Sequence, residues 1–268
     1  MTASTSSSSL GTALITGASS GIGAVYADRL ARRGYDLVLV ARDRARLDAL
    51  AKRLSAETGR RVDAFAADLG DAAQRAQVET LLREDASLTL LVNNAGVGTH
   101  TKLLESDVEQ MSRLIELNVT ALTRLTYAVV PGFIARGRGA VINISSIVSI
   151  SPELLNGVYG GSKAFVTAFS QSLHHELAAS GLRVQAVLPG ATATDFWRKG
   201  GLPVEHLPQE IVMSAEAMVD AALVGFDRGE LITVPSLHDE APLLAYEAAR
   251  QAMSGQLSSS VPAPRYMA

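Results

Sequence analysis

Residues 13–23 read Ala13-Leu14-Ile15-Thr16-Gly17-Ala18-Ser19-Ser20-Gly21-Ile22-Gly23. Ala13, Leu14 and Ile15 are an unbroken apolar run, the pattern of a strand covered on both faces. The run ends at Gly17. From residue 22 to 33 apolar residues recur at helical spacing, and Gly34 stops them. Strand, glycine-rich turn and helix make up the first half of a βα unit, and the turn uses residues without a Cβ where the backbone must bend sharply.

The same alternation continues outward. Apolar runs predict strands at 37–40, 62–67, 88–92, 141–144, 184–188 and 231–234. Between them, helical patterns cover 43–58, where Leu47, Leu50 and Leu54 form one stripe, then 71–85 and 107–135, with a break expected near Asn118. Further helices are expected at 159–179, 215–226 and 243–253. Residues 191–212 hold Gly200-Gly201, Pro203 and Pro208 and read as a mobile loop or lid over a substrate. Repeated βα units with right-handed crossovers imply a parallel sheet. The expected fold is α/β: a single-domain, Rossmann-like, doubly wound parallel sheet of about seven strands with helices on both faces. That domain should span 10–255, between a disordered tail at 1–9 and a polar end at 256–268.

Composition narrows the function. The chain has 268 residues, 47% of them apolar and 19% charged, enough for a large core. A net charge of −3 argues against nucleic acid as a partner. With no cysteine there is no disulfide framework, thiol nucleophile or zinc–thiolate site. No apolar run approaches the roughly 18 residues of a membrane span, and residues 1–9 lack the features of a secretory signal. A cytoplasmic protein without a membrane partner is expected. His174-His175-Glu176 lacks the second histidine of a zinc-protease helix, so no metal site is expected, and no Gly-x-Ser-x-Gly elbow supports serine hydrolase chemistry.

In doubly wound sheets, ligands sit beyond the carboxyl ends of the strands. Gly17, Arg42, Asp68, Asn93, Ser146 and Pro189 each end or follow an expected strand. The spacing Gly17-x-x-x-Gly21-x-Gly23 lets backbone approach a pyrophosphate at a helix N-terminus. The bland alternative is a plain Gly/Ser turn. Tyr159 and Lys163 are one helical turn apart and share a helix face. An ammonium about 4.5 Å from a phenol, at an effective dielectric of about 20, is worth roughly 3.7 kcal/mol. That predicts a phenol pKa lowered by about 2–3 units from its ordinary value near 10, which makes a proton shuttle. Ser146 lies thirteen residues upstream of Tyr159.

These motifs together resemble the short-chain dehydrogenase/reductase family of the Tyr-x-x-x-Lys type. The resemblance spans about residues 11–235. It rests on Thr16 to Gly23, Asp68, Asn93-Asn94-Ala95-Gly96, Asn118, Ser146, Tyr159 with Lys163, and Pro189-Gly190 with Thr194. It implies that Gly17, Ser19, Ser20, Gly21, Ile22 and Gly23 hold a dinucleotide. Asp68 and Leu69 would contact its adenine, and Asn94, Ala95 and Gly96 would line its floor. Pro189, Gly190, Thr192 and Thr194 would cradle the nicotinamide amide. Ser146 would orient a carbonyl oxygen, Tyr159 would exchange the proton, and Lys163 would tune Tyr159 and bind the nicotinamide ribose. Asn118 would kink its helix and complete a proton relay. In the family an acidic residue after the second strand selects NAD(H). Here Ala41 carries no carboxylate and Arg42 follows, so the cofactor is expected to be NADP(H).

The resemblance thus implies an NADP(H)-dependent carbonyl reductase or alcohol dehydrogenase acting on a small-molecule carbonyl/alcohol pair, assembled as a homodimer or homotetramer through 107–135 and 159–179. Leu154, Leu155, Phe196, Trp197 and Leu202 could line a hydrophobic pocket for a ketone, aldehyde or secondary alcohol. Two alternatives stay open: an NAD(H)-dependent dehydrogenase of the same fold, and a cofactor-sensing protein without turnover. The chain departs from the family at Gly160-Gly161, where a helix former is usual, leaving room for a bulky substrate or for close helix packing.

Overall fold

A computed structural model describes residues 10–267, so the expected tail at 1–9 lies outside the described residues. The strands are β1 (Thr12–Thr16), β2 (Asp36–Ala41), β3 (Val62–Ala66), β4 (Leu88–Asn93), β5 (Ala140–Ile144), β6 (Arg183–Val187), β7 (Thr192–Ala193), β8 (Met213–Ser214) and β9 (Ile232–Thr233). Seven form one sheet in the order β3-β2-β1-β4-β5-β6-β9, with every neighbour parallel. The helices are α1 (Gly21–Arg32), α2 (Arg44–Thr58), α3 (Ala72–Glu84), α4 (Val108–Ile115), α5 (Leu122–Ala135), α6 (Gly157–Glu176), α7 (Asp195–Lys199), α8 (Ala215–Arg228) and α9 (Ala241–Met253). The doubly wound parallel sheet expected from the sequence is therefore present.

Successive strand residues point to opposite faces, so the continuous apolar strands feed two cores. Ile15, Leu37 and Leu39 pack with Leu30, Leu47 and Phe226 on the α1, α2 and α8 face. Leu14, Val38 and Val40 pack with Val78, Leu125 and Phe133 on the α3 and α5 face. Helix starts are set by short polar caps: Asp43, Asp71, Asp107 and Ser214 each accept a hydrogen bond from a first-turn amide. From β1 the chain winds to β2 and β3 on one side, and from β4 to β5, β6 and β9 on the other. The switch between β1 and β4 opens the crevice in which such sheets bind ligands.

Two segments differ from a plain βα series. The helical stretch over 107–135 is α4, then a π-helical turn at Glu116–Ala121 holding Asn118, then α5. The loop over 191–212 is tethered at both ends, because β7 pairs with β8 in a separate two-stranded sheet. Two-residue strands are too short to leave a periodic signal. The chain divides between Ser236 and Leu237 into two compact units, and α9, within the expected 10–255 domain, falls in the second. Among the described residues no helix is long and apolar enough to cross a membrane.

Candidate active site

The glycine turn lies at the carboxyl end of β1, beside the switch point. Gly17 and Gly21 have φ of 65° and 54°, the left-handed region that L side chains rarely adopt. A Cβ on Gly23 would lie 2.4 Å from the Gly17 carbonyl oxygen, and one on Gly17 2.8 Å from Asn94 Nδ2. Asn94 closes this packing by donating from Nδ2 to the Thr16 carbonyl at 2.8 Å, while the Asn94 and Ala95 amides both donate to Thr16 Oγ1 at 2.9 Å. Thr194 crosses from the 191–212 segment, its methyl 3.0 Å from where a Gly21 Cβ would sit. Ser20 makes no side-chain cap bond to α1, and the first turn of α1 holds no acidic residue. Its amides are left for an anion such as a pyrophosphate. This cradle fits a dinucleotide, with Ser19, Ser20 and Ile22 on the turn.

Arg42 follows β2 and is exposed. Arg44 pairs with Asp48 at 2.9 Å and Arg46 with Asp43 at 3.4 Å. Among the described residues Arg42 makes no ion pair, which leaves its guanidinium for a ligand. Asp43 caps α2 through the Arg46 amide at 3.0 Å. Asp68 is not the cap of α3. Asp71 takes that place, and Asp68 turns the chain by accepting from the Gly70 amide at 2.9 Å. Leu69 is buried beside it.

Ser146, Tyr159, Lys163 and Asn118 converge beyond β4 and β5, and each is at most 8% exposed. Asn156 caps α6 by accepting from the Val158 and Tyr159 amides, which fixes the start of the helix. The Ser146 hydroxyl lies close enough to the Tyr159 phenol to lower its pKa. Lys163 Nζ donates to the Ile144 carbonyl at 2.9 Å and lies 5.9 Å from the centre of the Tyr159 ring. Asn118 exchanges two bonds with the Val97 backbone, accepting its amide and donating to its carbonyl at 2.9 Å each. It also donates to Ser162 Oγ at 3.1 Å, and Ser162 donates on to the Tyr159 carbonyl at 2.8 Å. The π turn thus brings Asn118 onto both the β4 loop and α6. A Cβ on Gly96 would lie 3.1 Å from Asn118 Oδ1 and 3.6 Å from Lys163 Nζ.

The electrostatics reverse the expectation of a lowered phenol. Burial pushes Tyr159 up to about 12, outweighing the lowering by Ser146. Burial also pushes Lys163 down to about 8. Both groups have left water, and removing a charged form from water dominates both shifts. Tyr159 is therefore a phenol with its proton on at neutral pH.

Beyond β6, Pro189 accepts at its carbonyl from the Ile147 amide and, at 3.4 Å, from Ser146 Oγ. A Cβ on Gly190 would meet Ser236 Oγ at 3.3 Å. Thr192 is buried and its carbonyl accepts from Trp197 Nε1 at 2.9 Å, while Thr194 caps α7. Leu155, Phe196, Trp197 and Leu202 line one cavity with Gly98, Thr99, His100 and Gly200. Leu154 is not part of it. It is 56% exposed on a tight turn, whereas its neighbour Leu155 packs inward with Tyr159 and Val148. Gly98, Thr99 and His100 were not anticipated. The loop after β4 carries no periodic pattern, and only its place beyond a strand's carboxyl end could have marked it. The unusual pair on α6 also resolves. A Gly160 Cβ would meet Pro152 at 3.2 Å, whereas Gly161 faces open space. Close packing accounts for Gly160 alone.

Comparison with known proteins agrees with this geometry. The short chain dehydrogenase family profile matches residues 11–201. A short-chain dehydrogenase from Sphingobium yanoikuyae in complex with NADPH superposes with a TM-score of 0.93 at 52% identity, over 96% of this chain and 100% of that one. A bulky-bulky ketone specific alcohol dehydrogenase from Comamonas testosteroni superposes with a TM-score of 0.90 at 46% identity, over 97% and 100%. A very-long-chain 3-oxoacyl-CoA reductase from Anas platyrhynchos is 34% identical over 189 residues, covering 68% of this chain and 60% of the reductase, so the chain spans less than two thirds of that relative's length. The chain belongs to the short-chain dehydrogenase family.

Proposed function

We propose that the protein is an NADP(H)-dependent oxidoreductase that interconverts a hydrophobic ketone, aldehyde or secondary alcohol, working chiefly as a carbonyl reductase. The observation that carries this reading is the buried meeting of Ser146, Tyr159 and Lys163 beside the glycine cradle. When bound, the dinucleotide supplies or accepts the hydride. The Ser146 and Tyr159 hydroxyls hold the carbonyl oxygen, and Tyr159 donates its proton to that oxygen as the carbonyl becomes an alcohol. A phenol pushed up to about 12 keeps that proton at neutral pH, which suits an acid and so the reductive direction. Lys163 sets a positive charge behind the phenol. Its protonation eases removal of the Tyr159 proton in the reverse reaction. Asn118 acts as a positioning residue that locks the Val97 loop to α6.

Preference for NADP(H) is supported by the unpaired Arg42, by the lack of a carboxylate at Ala41, and by the NADPH-bound relative. A hydrophobic substrate is supported by Leu155, Phe196, Trp197 and Leu202 around one cavity and by the ketone-specific relative. The reading includes a homodimer or homotetramer through α4, α5 and α6. There Tyr127, 70% exposed, stacks on Phe169, which stacks on Phe165. It also includes a cytoplasmic location, which a chain without cysteine allows. Initial rates of NADPH and NADH oxidation across a panel of ketones and aldehydes test the activity. Turnover with NADPH on apolar carbonyls is expected, and no turnover on any carbonyl would overturn the reading.

A further inference from the structure

One ring packs between Gly98 and Tyr159. The tip of Phe196 abuts the bare Cα of Gly98, so that a Cβ there would lie 2.3 Å from Phe196 Cζ. The same ring is 5.9 Å from the Tyr159 ring, tilted by 49°, and meets Trp197 edge-on at 6.1 Å. Around it the two loops touch through backbone. A Gly200 Cβ would meet the Gly98 carbonyl oxygen at 3.1 Å, His100 Nδ1 hydrogen-bonds the Gly200 carbonyl at 2.8 Å, and Gly201, at φ 90°, faces the His100 ring. The cavity left among these residues is about 10 Å³, room for about one water. Tyr159 is 5% exposed. Through this cavity a carbonyl compound has no room beside Tyr159 while Phe196 keeps its seat.

Resting on the carbonyl chemistry proposed above, we propose that Phe196 occupies the place of an aryl substituent of the substrate, and that Gly98 is the residue that admits it. The walls of the seat are the Gly98 backbone, the Tyr159 ring, Leu155 and Trp197. The polar group beside it, His100 Nδ1, is engaged by Gly200. When the lid moves, an aryl ring entering the seat restores the contacts that Phe196 gives up. A small alkyl group leaves the seat part empty, which costs the cavity energy of unfilled space.

The lid carries its own reporter, because Trp197 is the chain's single tryptophan. The test titrates the full chain with 1-phenylethanol and with 2-butanol, following Trp197 emission, and measures oxidation of both alcohols with NADP⁺. Wild type should give a saturable emission change with 1-phenylethanol at concentrations where 2-butanol gives none. Gly98→Ala should lower the preference for 1-phenylethanol over 2-butanol by at least about tenfold, in binding and in kcat/KM. Phe196→Leu, which empties the seat without blocking it, should raise that preference. Opposite signs are the signature of one seat shared by ring and substrate. Preferences unchanged in both variants, or moved in the same direction, would overturn the proposal. If wild type oxidises neither alcohol and reduces no carbonyl, the proposed activity fails, and the Trp197 titrations still decide the seat.

Discussion

The corner around Tyr159 and the lid around Phe196 face each other, and they are held in opposite ways. The corner is fixed by directed bonds to backbone: Asn118 to Val97, Ser162 to the Tyr159 carbonyl and Lys163 to the Ile144 carbonyl. The lid is fixed mainly by ring contacts on bare glycine and by two bonds to carbonyls, Trp197 to Thr192 and His100 to Gly200. Directed bonds set a proton donor to within tenths of an ångström. Ring contacts on glycine tolerate exchange for another ring of like size. On the function proposed above, the difference teaches a division of labour: bonding geometry serves the proton, and adaptable packing serves the choice of substrate.

Substitutions can break or sharpen that contrast. The largest stability effect should come from Asn118→Ala, which leaves the Val97 amide and carbonyl without their side-chain partner and removes one of the two bonds of Ser162. A loss of about 3 kcal/mol is expected by denaturant unfolding, with kcat falling more than KM changes. A loss as small as that from Trp197→Phe, about 1 kcal/mol, would erase the contrast. Lys163→Met should act the other way on stability. Lys163 titrates near 8 when folded and near 10.5 when unfolded. Between those values the unfolded chain binds more protons, so wild-type stability rises with pH there, and below about pH 8 the burial cost is fully present. The methionine variant should therefore be more stable by about 1–3 kcal/mol at pH 7, and the gain should vanish above pH 10.5 in thermal unfolding. A gain independent of pH would show that the lysine carries no such cost.

Arg42→Ala lies outside both regions and should leave the contrast intact. The expected change is a rise of about 10- to 100-fold in KM for NADPH with little change for NADH, and an unchanged NADPH KM would favour an NAD(H) enzyme. The smallest effect concerns the start of α6. Gly161→Ala should stabilise by about 1 kcal/mol, as an exposed helical glycine replaced by alanine, whereas Gly160→Ala should give no such gain, because its Cβ would press on Pro152 at 3.2 Å. Thermal unfolding of the two variants separates packing from propensity.

Much of this was legible in the sequence for a physical reason. The unbroken apolar run at Leu37 to Val40 fits a strand buried on both faces, and the glycines after β1 mark a turn that a Cβ would block. Asn118 was legible as a break, because asparagine is a poor interior helix residue. That the break is a π turn bonded to Val97 depends on a loop 21 residues away in the chain. The direction of the Tyr159 shift is not legible in the sequence, because spacing gives the distance to Lys163 but not the burial of both groups. Leu154 and Leu155 are alike in type, and only the turn at Pro152–Leu154 separates them. Gly98 and His100 carry no pattern of their own. Their role comes from Phe196 and Gly200, about a hundred residues on.

The central claim is that the Tyr159 hydroxyl delivers the proton in a corner built by its neighbours. Tyr159→Phe removes that hydroxyl and leaves the ring, so it tests the claim directly. Steady-state reduction of an apolar ketone, measured with NADPH affinity on the same protein, should show kcat lowered by about 10²–10⁴-fold with cofactor binding nearly unchanged. Turnover retained at the wild-type rate would contradict it.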